Sequence, residues 1–251
     1  MRWVFDGSFE GLMSLVFDSW GSRHQISEVC PEAESESLLP AQRPAADGEK
    51  ARRVVACIKR RLGESFLNMV REAFLSARKE RFTAIVKTIH LACQRGPEAL
   101  DLLEAEVLDF LACRQEVSRE AHRFLGLLRF SQLTDGSLLA EFAPRHHVLP
   151  LVLPHFADRF PEEKLIIFDE GRQVAGLCDR GALQLVRVHV LIPQYSQGEE
   201  ALQDLWRVFF KHLAIKERNN PRLQQQHLPK YTWAHLPEMR DMPCKPWQER
   251  L

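Results

Sequence analysis

The sequence lacks long hydrophobic runs and an excess of either charge. No uncharged apolar stretch approaches the roughly 18 residues that a membrane-spanning helix needs. The 34 Lys and Arg residues are equal in number to the 34 Asp and Glu residues. This balance removes a global attraction to nucleic acid or anionic membranes, so any such attraction must come from local patches. The opening residues turn acidic at Asp6, too early for a secretory signal, and we expect a cytoplasmic protein without membrane contact.

Paired cysteines and the common catalytic motifs are lacking too. The six cysteines lie far apart and form no Cys-x-x-Cys pair, so neither a zinc site nor an iron–sulfur cluster is expected. The sequence contains no Gly-x-Gly-x-x-Gly, phosphate-loop, Gly-x-Ser-x-Gly or His-Glu-x-x-His motif. These absences predict a protein with no metal and no cofactor of its own.

Apolar periodicity predicts helices in the first half of the chain. A short strand over residues 2–5 leads into a helix for which Asp6 or Ser8 is the expected N-cap. Five further stripes at helical spacing follow over residues 51–125. Between them, residues 22–49 carry prolines and acidic residues without an apolar period, which predicts a flexible loop.

The second half of the chain changes to strands and tight turns. The Asp135-Gly136 pair predicts a hairpin, and an antiparallel meander is expected over residues 165–190 after a short helix. Helix returns over residues 199–218. We therefore expect a single α+β domain over residues 1–251, in which a helical N-terminal half packs with an antiparallel sheet and C-terminal helices.

The strongest physical feature is a basic segment near the C-terminus. Residues 207–235 contain six Lys or Arg residues and one acid. At helical spacing the cations lie opposite an apolar stripe that we expect to face the core, and amide and aromatic side chains follow them. This mixture is typical of a groove for single-stranded nucleic acid, although it also fits a solvated basic helix whose partners are acids elsewhere. The predicted nucleic-acid-binding residues are Arg207, Lys211, Arg218, Asn219, Arg222, Lys230, Tyr231 and Trp233, and the predicted core stripe is Leu202, Leu205, Trp206, Phe209 and Leu213.

A second basic run, residues 50–61, has six Lys or Arg residues and no acid. Its cations Arg52, Arg53, Lys59 and Arg60 lie away from the apolar stripe, so they are expected to be exposed. This run either extends the electropositive surface or keeps one face of a helix hydrated.

The other ionisable residues offer candidates for catalysis. Arg145, His146 and His147 form the densest ionisable cluster together with residues 155–159. A His–Asp pair there could act as a general base, or the imidazoles could bind phosphate. The same residues could equally cap a helix and form an ion pair. Asp6 and Glu10, one helical turn apart, form either a carboxylate pair or the N-cap and a first-turn acid of the first helix. The catalytic candidates are Asp6, His155, Asp158 and Arg159.

Several of these stretches resemble a bacterial family of unknown function. The family is described as a DNA metabolism or repair protein, and its members are encoded beside a radical SAM protein of DNA modification or repair. The resemblance implies a place in DNA metabolism and a radical SAM partner, and it assigns no catalytic residue. The matching blocks are residues 5–11, 119–130 (REAHRFLGLLRF), 148–151, 155–160, 167–169 and, most specifically, 206–229 (WRVFFKHLAIKERNNPRLQQQHLP).

Three functions follow as hypotheses. The first is an accessory protein of DNA repair or modification that binds nucleic acid through its basic C-terminal segment and acts with the radical SAM partner. The second is a cofactor-independent enzyme acting on a DNA base or sugar–phosphate. The third is a scaffold that docks the radical SAM enzyme without contacting DNA.

Overall fold

The computed structural model describes residues 1–35, 40–213, 215 and 220–239, and for residue 221 only the backbone. Over these residues the chain combines helices with a five-stranded sheet, which confirms the predicted α+β class. The chain forms two compact units, Met1–Arg119 and Glu120–Leu251. A single domain over residues 1–251 stays a prediction.

The first unit is built mainly from helices. Leu12, Ile58 and Ile85, from three different helices, are fully buried in one apolar core. Ser8 is the N-cap of the first helix, because its hydroxyl oxygen accepts a hydrogen bond from the amide of Gly11. The elements of this unit are β1 (Arg2–Phe5), α1 (Phe9–Asp18), β2 (Glu28–Pro31), α2 (Gly48–Phe74), α3 (Arg81–Arg95) and the first part of α4 (Ala105–Leu127).

The predicted loop over residues 22–49 contains a strand that the sequence did not reveal. β2 pairs in parallel with β1, and Val29 and Cys30 are buried. This strand is only four residues long and ends on Pro31, so no alternating pattern marks it. Part of the stretch is therefore a component of the core.

α2 consists of two helical segments, which correspond to two of the predicted stripes. They meet at Gly63, whose backbone is not helical (φ 87°, ψ 167°) and lies in a region that only glycine readily occupies. Gly63 thus ends the first segment. α4, in contrast, joins the two stripes predicted over residues 100–125.

The second unit holds the five-stranded sheet, in the order β3-β4-β5-β6-β7. The hairpin at Gly136 (φ 85°) and the meander are confirmed as antiparallel pairs. The sheet is not wholly antiparallel as predicted, because β4 and β5 are parallel and joined through α5. The elements are β3 (Ser131–Gln132), β4 (Leu138–Phe142), α5 (Leu149–Arg159), β5 (Leu165–Asp169), β6 (Val174–Asp179), β7 (Ala182–Arg187), α6 (Glu199–Leu213) and α7 (Pro221–His227).

α5 covers one face of this sheet. The close approach depends on Gly176 of β6, where a Cβ atom would come within 2.9 Å of the side chain of Leu153. Asn220 is the N-cap of α7, since its side chain accepts a hydrogen bond from the amide of Leu223. Within the described residues, no helix combines the length and apolarity that crossing a membrane requires.

Candidate functional site

The apolar stripe of α6 is exposed, contrary to the prediction that it faces the core. Leu202, Leu205, Phe209 and Leu213 are 58, 63, 50 and 64% exposed. Trp206 is 38% exposed, and its indole N–H donates a hydrogen bond to Glu238 at 3.0 Å. Periodicity identified the apolar side of this helix correctly, but it carries no information on what covers that side.

The cations predicted on α6 differ in how far they are neutralised. The guanidinium of Arg207 forms an ion pair with Asp204 and donates to the carbonyl of Gln203. Lys211 is exposed on the last turn. Arg218 and Asn219 lie outside the described residues. Arg207 is thus largely occupied by its own helix.

The two aromatic residues predicted to stack on bases have different environments. Trp233 lies in a short 3₁₀ helix, Lys230–His235, is 5% exposed, and donates its indole N–H to the carbonyl of Leu228 at 3.0 Å. It packs with Leu236 and Met239. Trp233 could therefore stack on a nucleobase only if its ring left this cluster.

Tyr231 is half-buried and held at its hydroxyl group. The hydroxyl donates to the carboxylate of Glu120 at 2.7 Å and accepts from Arg123 at 3.4 Å. Burial, and then the hydrogen bond to Glu120, raises the pKa of Tyr231 to about 12. Its phenol therefore stays neutral at physiological pH, and its ring is fixed in position.

Glu120 connects this tyrosine to the segment between β4 and α5. Glu120 is 4% exposed, and besides the tyrosine it accepts the backbone amides of Arg145 at 3.1 Å and His146 at 2.7 Å. A buried carboxylate with three donors is a stable anchor, because unsatisfied buried acceptors are costly. Glu120 thereby fixes the backbone of residues 145–146 beside the ring of Tyr231.

Arg145 is the exposed member of this arrangement. Its guanidinium lies 5.1 Å from the centre of the Tyr231 ring, within the range of a cation–π contact. Its carbonyl accepts a hydrogen bond of 2.5 Å from Arg172. Within the described residues, no carboxylate lies within ion-pair distance of its guanidinium. Arg145 is therefore a positioned cation whose donors face solvent.

Arg172 stabilises the same segment from the end of β5. Its guanidinium donates to Asp169 and to the carbonyl of Pro144, both at 3.1 Å. Asp169 is fully buried, and burial raises its pKa more than Arg172 lowers it. Burial, and secondarily the charge of Arg172, lowers the pKa of His147 to about 4. His147 is therefore neutral at pH 7, and its Nδ1 has no hydrogen-bond partner within the described residues.

The catalytic candidates on α5 are not joined to one another. His155, Asp158 and Arg159 are exposed on this helix, and no hydrogen bond or ion pair between His155 and Asp158 occurs in the part described. The His155 ring lies 5.2 Å from that of Phe156. Asp158 lines a cavity of about 310 Å³ together with Arg180. A general-base pair is thus not formed.

Asp6 belongs to the first unit and acts at the start of α1. Its carboxylate accepts hydrogen bonds from the amide and the hydroxyl of Ser8, at 2.9 and 2.8 Å. A Cβ atom on Gly11 would come within 2.0 Å of this carboxylate. A side chain at position 11 would therefore displace the carboxylate of Asp6 from Ser8, and the capping interpretation accounts for the contacts of Asp6. Among the described residues, no group of three or more His, Cys, Asp or Glu side chains is arranged to hold a metal ion.

The second unit thus places the solvent-facing guanidinium of Arg145 over an aromatic ring, on a backbone that Glu120 and Arg172 fix. Arginine presents a planar fork of donors that matches the oxygens of a phosphate or carboxylate in pairs. The sequence predicts Arg145 only as one member of an ionisable cluster. The contacts that define its role come from Glu120 and Tyr231, 111 residues apart in the chain, and spacing could not reveal them.

Residues 79–238 match the sequence profile of DUF4130, a domain of unknown function. The chain belongs to this family. The DUF4130 match includes Glu120, Arg145, Asp169, Arg172 and Tyr231, and leaves β1 and α2 outside. The comparison with curated proteins and the comparison with solved structures gave no match.

Proposed function

We propose that this protein binds the phosphate backbone of nucleic acid through Arg145 and the cations near it, as an accessory factor of bacterial DNA repair or modification. The observation that carries the proposal is the exposed guanidinium of Arg145, stacked on Tyr231 without a carboxylate within ion-pair distance in the described part of the chain. A cation held in this way loses little conformational entropy when it meets an anion.

The rigidity of the site supports phosphate binding over simple solvation. Glu120 accepts hydrogen bonds from the backbone amide of Arg145 and from the hydroxyl of Tyr231. The aromatic ring and the backbone that carries the cation are therefore fixed by the same carboxylate. A mobile surface arginine would need no such support. Half or more of protein–DNA hydrogen bonds go to phosphates and sugars, and arginine is a major donor in them.

Two further cations predicted from the sequence support the same function. Arg222 and Lys230 are exposed, and in the described residues neither has a carboxylate within ion-pair distance. The ammonium of Lys230 lies 5.9 Å from the ring of Trp233. Each such cation adds a sequence-independent, salt-sensitive contribution to binding, because neutralised phosphates release counterions.

The setting in DNA metabolism and the radical SAM partner are proposed from the resemblance of the sequence blocks, and the cytoplasmic location from the lack of long apolar runs. The DUF4130 profile itself is assigned no function. In this proposal the radical SAM partner supplies the redox chemistry, and the present protein holds the nucleic-acid backbone.

The affinity of the full chain for a fluorescent single-stranded oligonucleotide tests the proposal. Arg145→Gln is expected to weaken binding about tenfold, the equivalent of one charged hydrogen-bonded contact. It should also reduce the slope of log affinity against log salt by about 0.7, the contribution of one phosphate on a single strand. Arg187→Gln, which removes another exposed arginine of the second unit, is the matched control. Equal affinities for wild type and Arg145→Gln would refute the proposal.

The exposed stripe of α6 favours a second candidate function, the docking of the radical SAM protein. An uncovered row of Leu202, Leu205, Phe209 and Leu213 is the kind of surface that a partner helix or groove covers. The wild-type chain should copurify with the radical SAM protein after nuclease treatment. Leu205→Ser combined with Phe209→Ser should abolish this copurification. Val190→Ser, at another exposed apolar residue, should not. Copurification that survives the double substitution would contradict docking by α6.

A further inference from the structure

The first half of α2 carries a cationic face in the first unit. Arg52, Arg53, Lys59 and Arg60 are exposed, as the sequence predicted, whereas Val54 and Ile58 point into the core. At about 100° per residue, the four cations lie within an arc of roughly 120°. We call these four residues the α2 cationic face.

Few carboxylates neutralise this region. Lys50, just before the α2 cationic face, pairs with Asp18 at 2.7 Å, and Lys59 pairs with Glu64 at 3.0 Å. Within the part of the chain that the structure describes, Arg52 and Arg60 have no carboxylate within ion-pair distance. Two arginines of the face therefore keep their charge available to an external anion.

Two of these cations lie in an unfavourable position, near the positive end of the helix dipole. Arg52 and Arg53 lie near the N-terminus of α2, where the aligned peptide dipoles already place a positive partial charge. Asp47 as N-cap and Glu49 in the first turn offset part of this cost. The helix end and the arginines together create a positive potential that an anionic partner would relieve.

We infer that the α2 cationic face is a second contact for a nucleic-acid backbone, independent of Arg145. The choice of nucleic acid rests on the proposed function, while the cationic face rests on α2 alone. Arg52 and Arg60 are separated by about 12 Å along the helix axis, at about 1.5 Å per residue. That distance matches three to four nucleotides at about 3.4 Å per nucleotide of one strand.

An anionic membrane is a poorer fit to this face. Helices that lie on bilayers bury large apolar side chains beside their cations. None of the large exposed apolar residues in the described part of the chain lies on α2, and Ala56 is the residue between the cations. The contact is therefore expected to be made by solvated cations, as with a polyphosphate backbone.

The test measures oligonucleotide affinity against salt for the full chain, with Arg52→Gln and Arg60→Gln introduced together. We expect the slope of log affinity against log salt to fall by about 1.4, two phosphates at about 0.7 each. The same fall is expected in the wild-type and the Arg145→Gln backgrounds. The control is Arg43→Gln with Arg95→Gln, two exposed arginines of the same unit that pair with Glu32 and Glu104. Thermal unfolding of each variant verifies that folding is retained.

The outcomes separate this inference from the proposed function. If the double variant changes the slope and Arg145→Gln does not, the α2 cationic face is supported and the proposed site is wrong. An unchanged slope in the double variant overturns the inference, whatever Arg145→Gln does. Phosphatidylserine vesicles that compete with the oligonucleotide at equal charge concentration would also overturn it, in favour of a membrane surface.

Discussion

α2 and α6 are both amphipathic helices with basic residues, yet the apolar side of α2 is buried and that of α6 is exposed. Ile58, Leu67 and Val70 of α2 are fully buried, whereas Leu202, Leu205 and Leu213 of α6 are more than half exposed. The same periodicity thus marks a core helix in one unit and an uncovered helix in the other. Amphipathicity reports which side of a helix avoids water, and only tertiary contacts decide whether that side is covered.

The cations of the two helices differ in whether a carboxylate pairs with them. Arg207 of α6 is paired within its own helix, while Arg52 and Arg60 of α2 have no carboxylate within ion-pair distance in the described residues. In the C-terminal basic segment, the described cations that are exposed and have no carboxylate within ion-pair distance are Arg222 and Lys230. Both basic runs therefore keep cations available to an external anion.

The largest expected effect tests the burial of α2 against the exposure of α6. Ile58→Ala should lower the free energy of unfolding by about 2–5 kcal/mol, because it leaves a cavity in a closed core. Leu205→Ala should change it by less than about 0.5 kcal/mol, because the side chain is 63% exposed. Urea unfolding measures both. A cost at Leu205 as large as that at Ile58 would show that the α6 stripe is covered.

An intermediate effect is expected where α2 changes direction. Gly63→Ala should destabilise the protein by about 1–3 kcal/mol, since its backbone conformation is almost restricted to glycine. No neighbouring atom lies within 4 Å of a Cβ at this position, so the cost comes from the backbone alone. Gly126, inside α4 and equally open, is the matched control. Gly126→Ala should stabilise by about 0.5–1 kcal/mol. Similar outcomes at the two glycines would contradict the assigned conformation of Gly63.

A smaller effect is expected from His147 in the second unit. Its pKa is lowered from 6.5 to about 4, so between these values the unfolded chain binds a proton that the folded chain does not. Its contribution to stability is therefore present above pH 6.5 and is lost as the pH falls towards 4. His147→Gln should flatten the fall of the urea midpoint over this range. An unchanged pH dependence in this variant would contradict the burial of the imidazole.

Much of the fold could be predicted because local signals determine it. The Ser8 cap and the turn at Gly136 each follow from one residue type at one position. The joining of two stripes in α4 and the parallel pairing of β4 with β5 could not be predicted. No residue between the two stripes marks their union, and the pairing depends on how α5 packs.

The candidate site was less predictable than the fold. The basic segment led to the prediction that Lys230 and Tyr231 contact nucleic acid, and it assigned the same role to Trp233, which is buried. Arg145 gains its position from contacts with Glu120 and Tyr231, which are distant in sequence. Side chains from separate elements define such a site, and the periodicity of the sequence does not predict which of them come into contact.

Photochemical crosslinking of the full chain to a single-stranded oligonucleotide, followed by mass spectrometry of the peptides, tests the central claim most directly. We predict crosslinks in the peptides that contain residues 145–147 and 230–231, and their loss in Arg145→Gln. Crosslinks that are absent from both peptides, or that persist unchanged in Arg145→Gln, would contradict a phosphate site built on Arg145 and Tyr231.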